Sequence, residues 1–235
     1  MKILVIIPAY NEQENILHTI RDLDAHYPQL DRVVIDDDSQ DDTRRVLEIN
    51  HVSHIDLPVN LGIGGGVQTG YLYAFENGYD IAVQMDGDGQ HCASELGKII
   101  RPLIKQEADV VIGSRFLTKE GFQSSFLRRA GIRFLSTMIR YCTGNKIYDV
   151  TSGFRAVNRR FIEIFSKEYA QDYPEPEAIV TVSKYHGKIL EVPVIMRERR
   201  YGESSIRFLK SLYYMVKVSL AVIFRALGRT GGGKK

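Results

Sequence analysis

The residues able to do chemistry stand in short polar runs, each directly after a β-rich run. Asp86-Gly87-Asp88 is the sharpest of them. In an extended chain residues i and i+2 point the same way, so two carboxylates face one spot. A hard divalent cation relieves their repulsion, and Mg²⁺ takes one or two carboxylates together with substrate phosphates. Gln90 adds a further oxygen two residues on. A solvated Asp-Gly turn is the plainer reading of the same residues. A second acidic run, Asp36-Asp37-Asp38-Ser39 with Asp41 and Asp42 behind it, also closes a strand. One or two of these acids, Asp37 foremost, suit a ribose or a base N–H, while Ser39 or Asp41 caps the following helix. Pro8-Ala9-Tyr10-Asn11-Glu12 follows the first strand. Glu12 reads equally as a ligand group and as a helix-start acid favoured by the dipole.

Arginine recognises phosphate through two parallel N–H bonds. Arg115 in Gly113-Ser114-Arg115, Arg128 and Arg129 on the next element, and Arg155 in Ser152-Gly153-Phe154-Arg155 are the candidates. Arg133 and Arg140 read as a solvated basic face. Asn60-Leu61-Gly62-Ile63-Gly64-Gly65-Gly66 invites a dinucleotide reading but has Val67 where a third glycine is required. It fails as a phosphate loop too, because Tyr71 stands in place of the lysine. A glycine-rich helix start near a nucleotide survives, with Gly64 as its candidate. His91 flanks the Asp86–Asp88 pair as a ligand or, the commoner role of a lone histidine, as a structural group.

These runs need elements to position them. Strands are predicted at 3–7, 32–36, 51–57, 80–85 and 109–113, alternating with helices at 12–26, 41–48, 64–77 and 94–106. Such alternation gives an α/β fold, a mainly parallel sheet flanked by helices. Ligands bind such sheets beyond the carboxyl ends of the strands, where the polar runs fall. A basic amphipathic helix follows at 127–142, then a mixed region, a strand at 188–194, and a last helix over 204–227.

With 235 residues, 44% of them hydrophobic and 26% charged, the chain can bury a sizeable core. Its 31 Lys and Arg against 29 Asp and Glu leave a net charge of +2, which argues against nucleic acid as a partner held by bulk charge. Only Cys92 and Cys142 are present, which excludes a disulfide-dense scaffold and a four-cysteine zinc site. Reduced thiols fit the cytosol. The apolar start 3–7 is too short for a signal sequence. No uncharged run reaches the about 18 apolar residues of a spanning helix.

Taken together the motifs resemble the inverting nucleotide-sugar transferases of glycosyltransferase family 2. They run in order: 8–12, Asp36 to Thr43, Asn60-Leu61-Gly62, Met85 to His91, Gly113-Ser114-Arg115 and Ser152-Gly153-Phe154-Arg155. Glu191-Val192-Pro193-Val194 and Arg199-x-x-Gly202-x-Ser204 then resemble the dolichyl- and polyprenyl-phosphate hexosyltransferase branch. Asp38 departs from the pattern, standing where the family usually has glycine.

The resemblance implies a GT-A fold with a nucleotide half over about 1–115 and an acceptor half over about 116–205. Helix 206–228 and a flexible tail 229–235 complete the expected layout. It implies that Pro8, Tyr10, Glu12 and Asp37 line the nucleotide pocket. Asp86, Asp88 and Gln90 would hold Mg²⁺ or Mn²⁺ on the diphosphate, and Arg115, Arg128 or Arg129, and Arg199 with Ser204 would handle phosphate. The implied donor is a UDP-sugar sooner than a GDP-sugar, carrying glucose or a related hexose. The implied acceptor is polyprenyl phosphate, for cell-surface glycan assembly. A saccharide hydroxyl acceptor is the alternative. It needs a general base, with Asp172, Glu175 and Glu177 as candidates and Glu177 preferred.

The last helix spaces Ile206, Leu209, Leu212, Tyr213, Val216, Leu220, Ile223 and Leu227 three or four apart among Arg207, Lys210, Lys217 and Arg225. A basic amphipathic helix can lie in a membrane interface. The expectation is therefore a peripheral protein on the cytoplasmic face of a membrane, bound to the lipid surface or a small membrane protein. Core packing or a homo-oligomer contact is the other reading of that helix.

Overall fold

The computed structural model describes residues 1–118, 120–122, 126–199 and 208–227. Its seven strands are β1 (Ile3–Ala9), β2 (Asp31–Asp36), β3 (His54–Asp56), β4 (Ile81–Gln84), β5 (Val110–Ser114), β6 (Arg155–Asn158) and β7 (Ile189–Pro193). Helices α1 (Ile16–His26), α2 (Thr43–Ile49), α3 (Gly62–Glu76) and α4 (Leu96–Ile104) connect the first five. Then come α5 (Phe126–Thr143), α6 (Arg159–Lys167), α7 (Pro174–Lys184) and α8 (Phe208–Leu227).

The strands form one sheet in the order β3-β2-β1-β4-β6-β5-β7. All neighbours run parallel except β6, which is antiparallel to both β4 and β5. The cause is visible in β1. Leu4, Val5, Ile6 and Ile7 are all fully buried, because successive side chains enter opposite layers and both layers are covered by helices. Leu4 and Ile6 join Val33, Ile35, Val67, Tyr71 and Phe165 on one side. Val5 and Ile7 join Ile16, Leu23, Leu96 and Ile99 on the other. Each of these aliphatic side chains contributes about 1.5–3 kcal/mol by leaving water.

The predicted parallel alternation holds through β5. The mixed region resolves into β6, α6 and α7, elements with no clear periodic signal in the sequence. The antiparallel sense of β6 has a functional consequence. Its beginning, not its end, lies at the edge where β1, β2, β4 and β5 finish, which brings 152–155 to the polar runs. Helix α8 packs against α5 and α7, with Val218 and Val222 buried. The expected tail 229–235 lies outside the described residues. Among the described residues no helix is long and apolar enough to cross a membrane.

Candidate active site

The site is built at the carboxyl edge of β1, β2 and β4. Loops 8–12 and 36–43 are stitched together there by side chain–backbone bonds. Asn11 N–H donates to Ser39 Oγ at 2.9 Å, and Gln40 N–H returns a bond to Asn11 Oδ1 at 2.8 Å. Asp42 N–H donates to Gln13 Oε1 and Glu12 N–H to Thr43 Oγ1, both at 2.8 Å. Asp38 and Asn11 take positive φ, 59° and 55°. Aspartate and asparagine tolerate that conformation better than most residues, so Asp38 can serve where the family pattern has glycine. Tyr10 is left 47% exposed at the rim.

Asp37 is a cap as well as a pocket acid. Its Oδ1 accepts from Leu61 N–H at 2.7 Å, and Asn60 Nδ2 donates to its carbonyl at 2.9 Å. Asn-Leu-Gly thereby fixes the start of α3. Burial holds the Asp37 carboxyl above the usual carboxylate range. Gly64 corrects the sequence reading. A Cβ there would stand 2.1 Å from Ala170 O, so this glycine is required by the close approach of loop 170–171, not by an open nucleotide pocket.

Beyond β4, Asp86 and Asp88 stand near enough for the Asp86 charge to act on Asp88. Asp86 Oδ1 accepts from Gln84 Nε2 at 3.1 Å, and Asp88 Oδ1 accepts from Gln90 N–H at 3.0 Å. Gly87 N–H donates to Pro8 O at 3.2 Å, which ties the acidic turn to the first loop. Burial, then the neighbouring Asp86 charge, raises the Asp88 carboxyl above its ordinary value.

The segment after β7 crosses this turn. Arg197 N–H donates to Gln90 O at 2.8 Å, and Met196 forms a β-bridge with His91. Arg199 is delivered between two acids. Its Nη2 donates to Glu12 Oε1 at 2.7 Å, and its Nη1 lies 3.7 Å from Asp88 Oδ2. Glu12, Asp88 and Arg199, far apart in the chain, therefore form one constellation. Burial raises the Glu12 carboxyl against the opposing pull of Asn15 and Arg199.

Three other candidates are placed differently from their expectation. Arg115 is clamped on Asp149, Nε to Oδ2 and Nη2 to Oδ1, both at 2.7 Å, with Asp149 wholly buried. Its fork is engaged by a carboxylate and not free for the expected phosphate. Arg155 is 1% exposed, and its guanidinium donates to the carbonyls of Ser152 and Glu175. It braces loop 152–155 from below instead of facing a ligand. Glu177, the preferred base, accepts from Arg225 Nη1 of α8 at 3.1 Å. Arg128 and Arg129 stand in the first turn of α5, exposed and half-buried respectively. Ser204 lies outside the described residues.

The donor set suits a hard ion that takes most of its ligands from a substrate. Two carboxylates supply oxygen donors, and the Asp86 charge that adds to burial in raising the Asp88 carboxyl is what a cation would offset. Among the described residues no three His, Cys, Asp or Glu side chains form a protein-only cage.

A mostly parallel sheet with one antiparallel strand and helices on both faces is a GT-A fold. Glucosyl-3-phosphoglycerate synthase from Mycobacterium tuberculosis, solved with Mn²⁺, UDP-glucose and phosphoglyceric acid, superposes with a TM-score of 0.74 at 22% identity. The match covers 99% of this chain and 81% of that one. The sequence profile described as Glycosyl transferase family 2 matches residues 4–165. The chain belongs to glycosyltransferase family 2 and is a glycosyltransferase. It is 31% identical to a UDP-N-acetylglucosamine–dolichyl-phosphate N-acetylglucosaminyltransferase of Methanococcus voltae, over 82% of this chain and 84% of that protein. It is 30% identical to an undecaprenyl-phosphate mannosyltransferase of Micrococcus luteus, over 88% of each.

Proposed function

We propose that this enzyme transfers a hexose from a UDP-sugar to a polyprenyl phosphate, with inversion, at the cytoplasmic face of a membrane. An acceptor phosphate oxygen bonds to the anomeric carbon as the bond from that carbon to the diphosphate breaks. Pro8, Tyr10, Glu12 and Asp37 form the nucleotide side. Asp86, Asp88 and Gln90 would hold Mg²⁺ or Mn²⁺, which when bound supplies positive charge opposite the leaving diphosphate. Arg199 adds a second positive charge at the same spot, and Arg128 and Arg129 border the phosphate side. Residues 1–205 act as the catalytic unit.

The observation that carries the acceptor assignment is the pairing of Glu177 with Arg225. A carboxylate neutralised in this way is a poor general base. A lipid phosphate, already an anion, needs none. The named acceptors of the relatives, dolichyl and undecaprenyl phosphate, point the same way. A saccharide hydroxyl acceptor is the second reading, with Glu175, near the Asp86 and Arg155 charges, as its base.

Exposed Leu220, Ile223, Phe224 and Leu227 on α8, with Phe134 and Tyr141 on α5, support a membrane-facing surface. Nucleoside diphosphate release from UDP- and GDP-sugars, with Mn²⁺ or Mg²⁺ and with or without undecaprenyl phosphate, tests the assignment. Release is expected to need the lipid and UDP-sugar and to vanish in Asp88→Ala. Release that ignores the lipid and responds to a saccharide overturns it.

A further inference from the structure

His91 is buried, 5% exposed, and lies directly beside the acidic pair. Its two ring nitrogens are both committed to Asp86. Asp86 N–H donates to Nδ1 at 3.0 Å, and Nε2 lies 3.7 Å from Asp86 Oδ2. A ring that accepts at Nδ1 carries its proton, when neutral, on Nε2. The N–H therefore faces the carboxylate. The ring itself is stacked on Phe154, centroids 4.7 Å apart and planes 22° from parallel, and Phe154 is fully buried.

The Asp86 carboxylate is thus surrounded on its inner side. Gln84 Nε2 holds Oδ1, and His91 Nε2 faces Oδ2. Gly153 closes the floor, since a Cβ there would come within 2.8 Å of Oδ2. Neither ring nitrogen is directed at Asp88, so His91 does not complete the Asp86–Asp88 donor set. Through its bridge to Met196, His91 also joins the acidic turn to the segment that carries Arg199.

We propose that His91 is a positioning residue that sets the orientation of the Asp86 carboxylate for a divalent cation. The inference rests on the metal-dependent reading above. Groups behind a metal ligand typically change affinity about 10- to 100-fold when removed. The test is Mn²⁺ affinity of the full chain in the presence of UDP, followed by electron paramagnetic resonance, beside turnover across a Mn²⁺ series. His91→Phe keeps the stack on Phe154 and leaves Asp86 N–H without its acceptor. Its Mn²⁺ affinity is expected to fall about tenfold or more, with turnover partly recovered at saturating Mn²⁺.

His91→Asn places an oxygen near Nδ1 and is expected to regain most of that loss. Should His91→Phe not fold, His91→Gln is the replacement, since its amide reaches toward Nε2 and abandons the Nδ1 acceptor. The same loss is expected. A folded His91→Phe or His91→Gln that binds Mn²⁺ within twofold of wild type overturns the proposal. Wild-type protein that binds no Mn²⁺ in the presence of UDP overturns the metal reading and this one with it.

Discussion

Arg199 holds two acids of the site at once, Glu12 at 2.7 Å and Asp88 at 3.7 Å. Its charge stands where a bound cation's would act, so the two compete for Asp88 in the ligand-free protein. Arg199→Ala is expected to tighten Mn²⁺ binding to the free protein severalfold. It is expected to lower kcat about 10²- to 10³-fold, because a charge opposing the leaving group is lost. Calorimetry for the first and steady-state kinetics for the second check this, and unchanged Mn²⁺ binding contradicts it.

Glu12 carries a pH consequence. Its folded pKa is raised above 4.5 by burial, so its stabilising share is full below 4.5 and lost as pH rises through the raised value. The stability of wild type relative to Glu12→Gln is expected to decline over that window in urea titrations at stepped pH. A difference independent of pH counts against it. Much of this scale was legible in sequence. Asp88, Glu12 and Arg199 do meet. The roles of Ser39 and Thr43, which accept from the backbone N–H groups of Asn11 and Glu12, were not legible. Loop-to-loop stitching of this kind leaves no periodic signal.

Elements divide along the same line. Strands β1, β2, β4 and β5 announce themselves through continuous apolar runs, the mark of a sheet buried on both faces. Strand β6 does not. It has four residues, opens on Arg155 and closes on Asn158, and only its neighbours β4 and β5 make it a strand. Its antiparallel insertion is a tertiary fact. The same gap hid the partner of Glu177. Arg225 of α8 bonds Glu177, Thr181 and Glu168 together, latching α8 to α7. Arg225→Ala leaves Glu177 without its cation, and burial raises that carboxyl already. A loss of about 1–3 kcal/mol in stability is expected, read as a lower Tm. Glu177→Gln is expected to keep turnover within about threefold of wild type, well short of the roughly 10²–10⁴ that a general base contributes. A loss on that larger scale would restore Glu177 as the base.

At the scale of the molecule, the apolar residues of α8 split between two surroundings. Val218 and Val222 are buried against the body, while Phe224 and Leu227 are 69% and 77% exposed. Deleting the helix would therefore remove core packing together with any membrane contact, and the two losses could not be told apart. Substituting only the outward residues separates them. Phe224→Ser with Leu227→Ser removes exposed apolar surface and leaves Val218, Val222 and the Arg225 latch intact, so Tm is expected to stay within a few degrees. An apolar side chain of this size contributes about 1.5–3 kcal/mol when it leaves water. Even partial insertion of two predicts a drop of about tenfold or more in partitioning to vesicles containing anionic lipid. The same variant is expected to raise KM for a vesicle-borne polyprenyl phosphate and leave turnover on a short, water-soluble polyprenyl phosphate unchanged. Equal flotation of wild type and variant with those vesicles would move the exposed face of α8 from a lipid contact to a contact between copies of the chain.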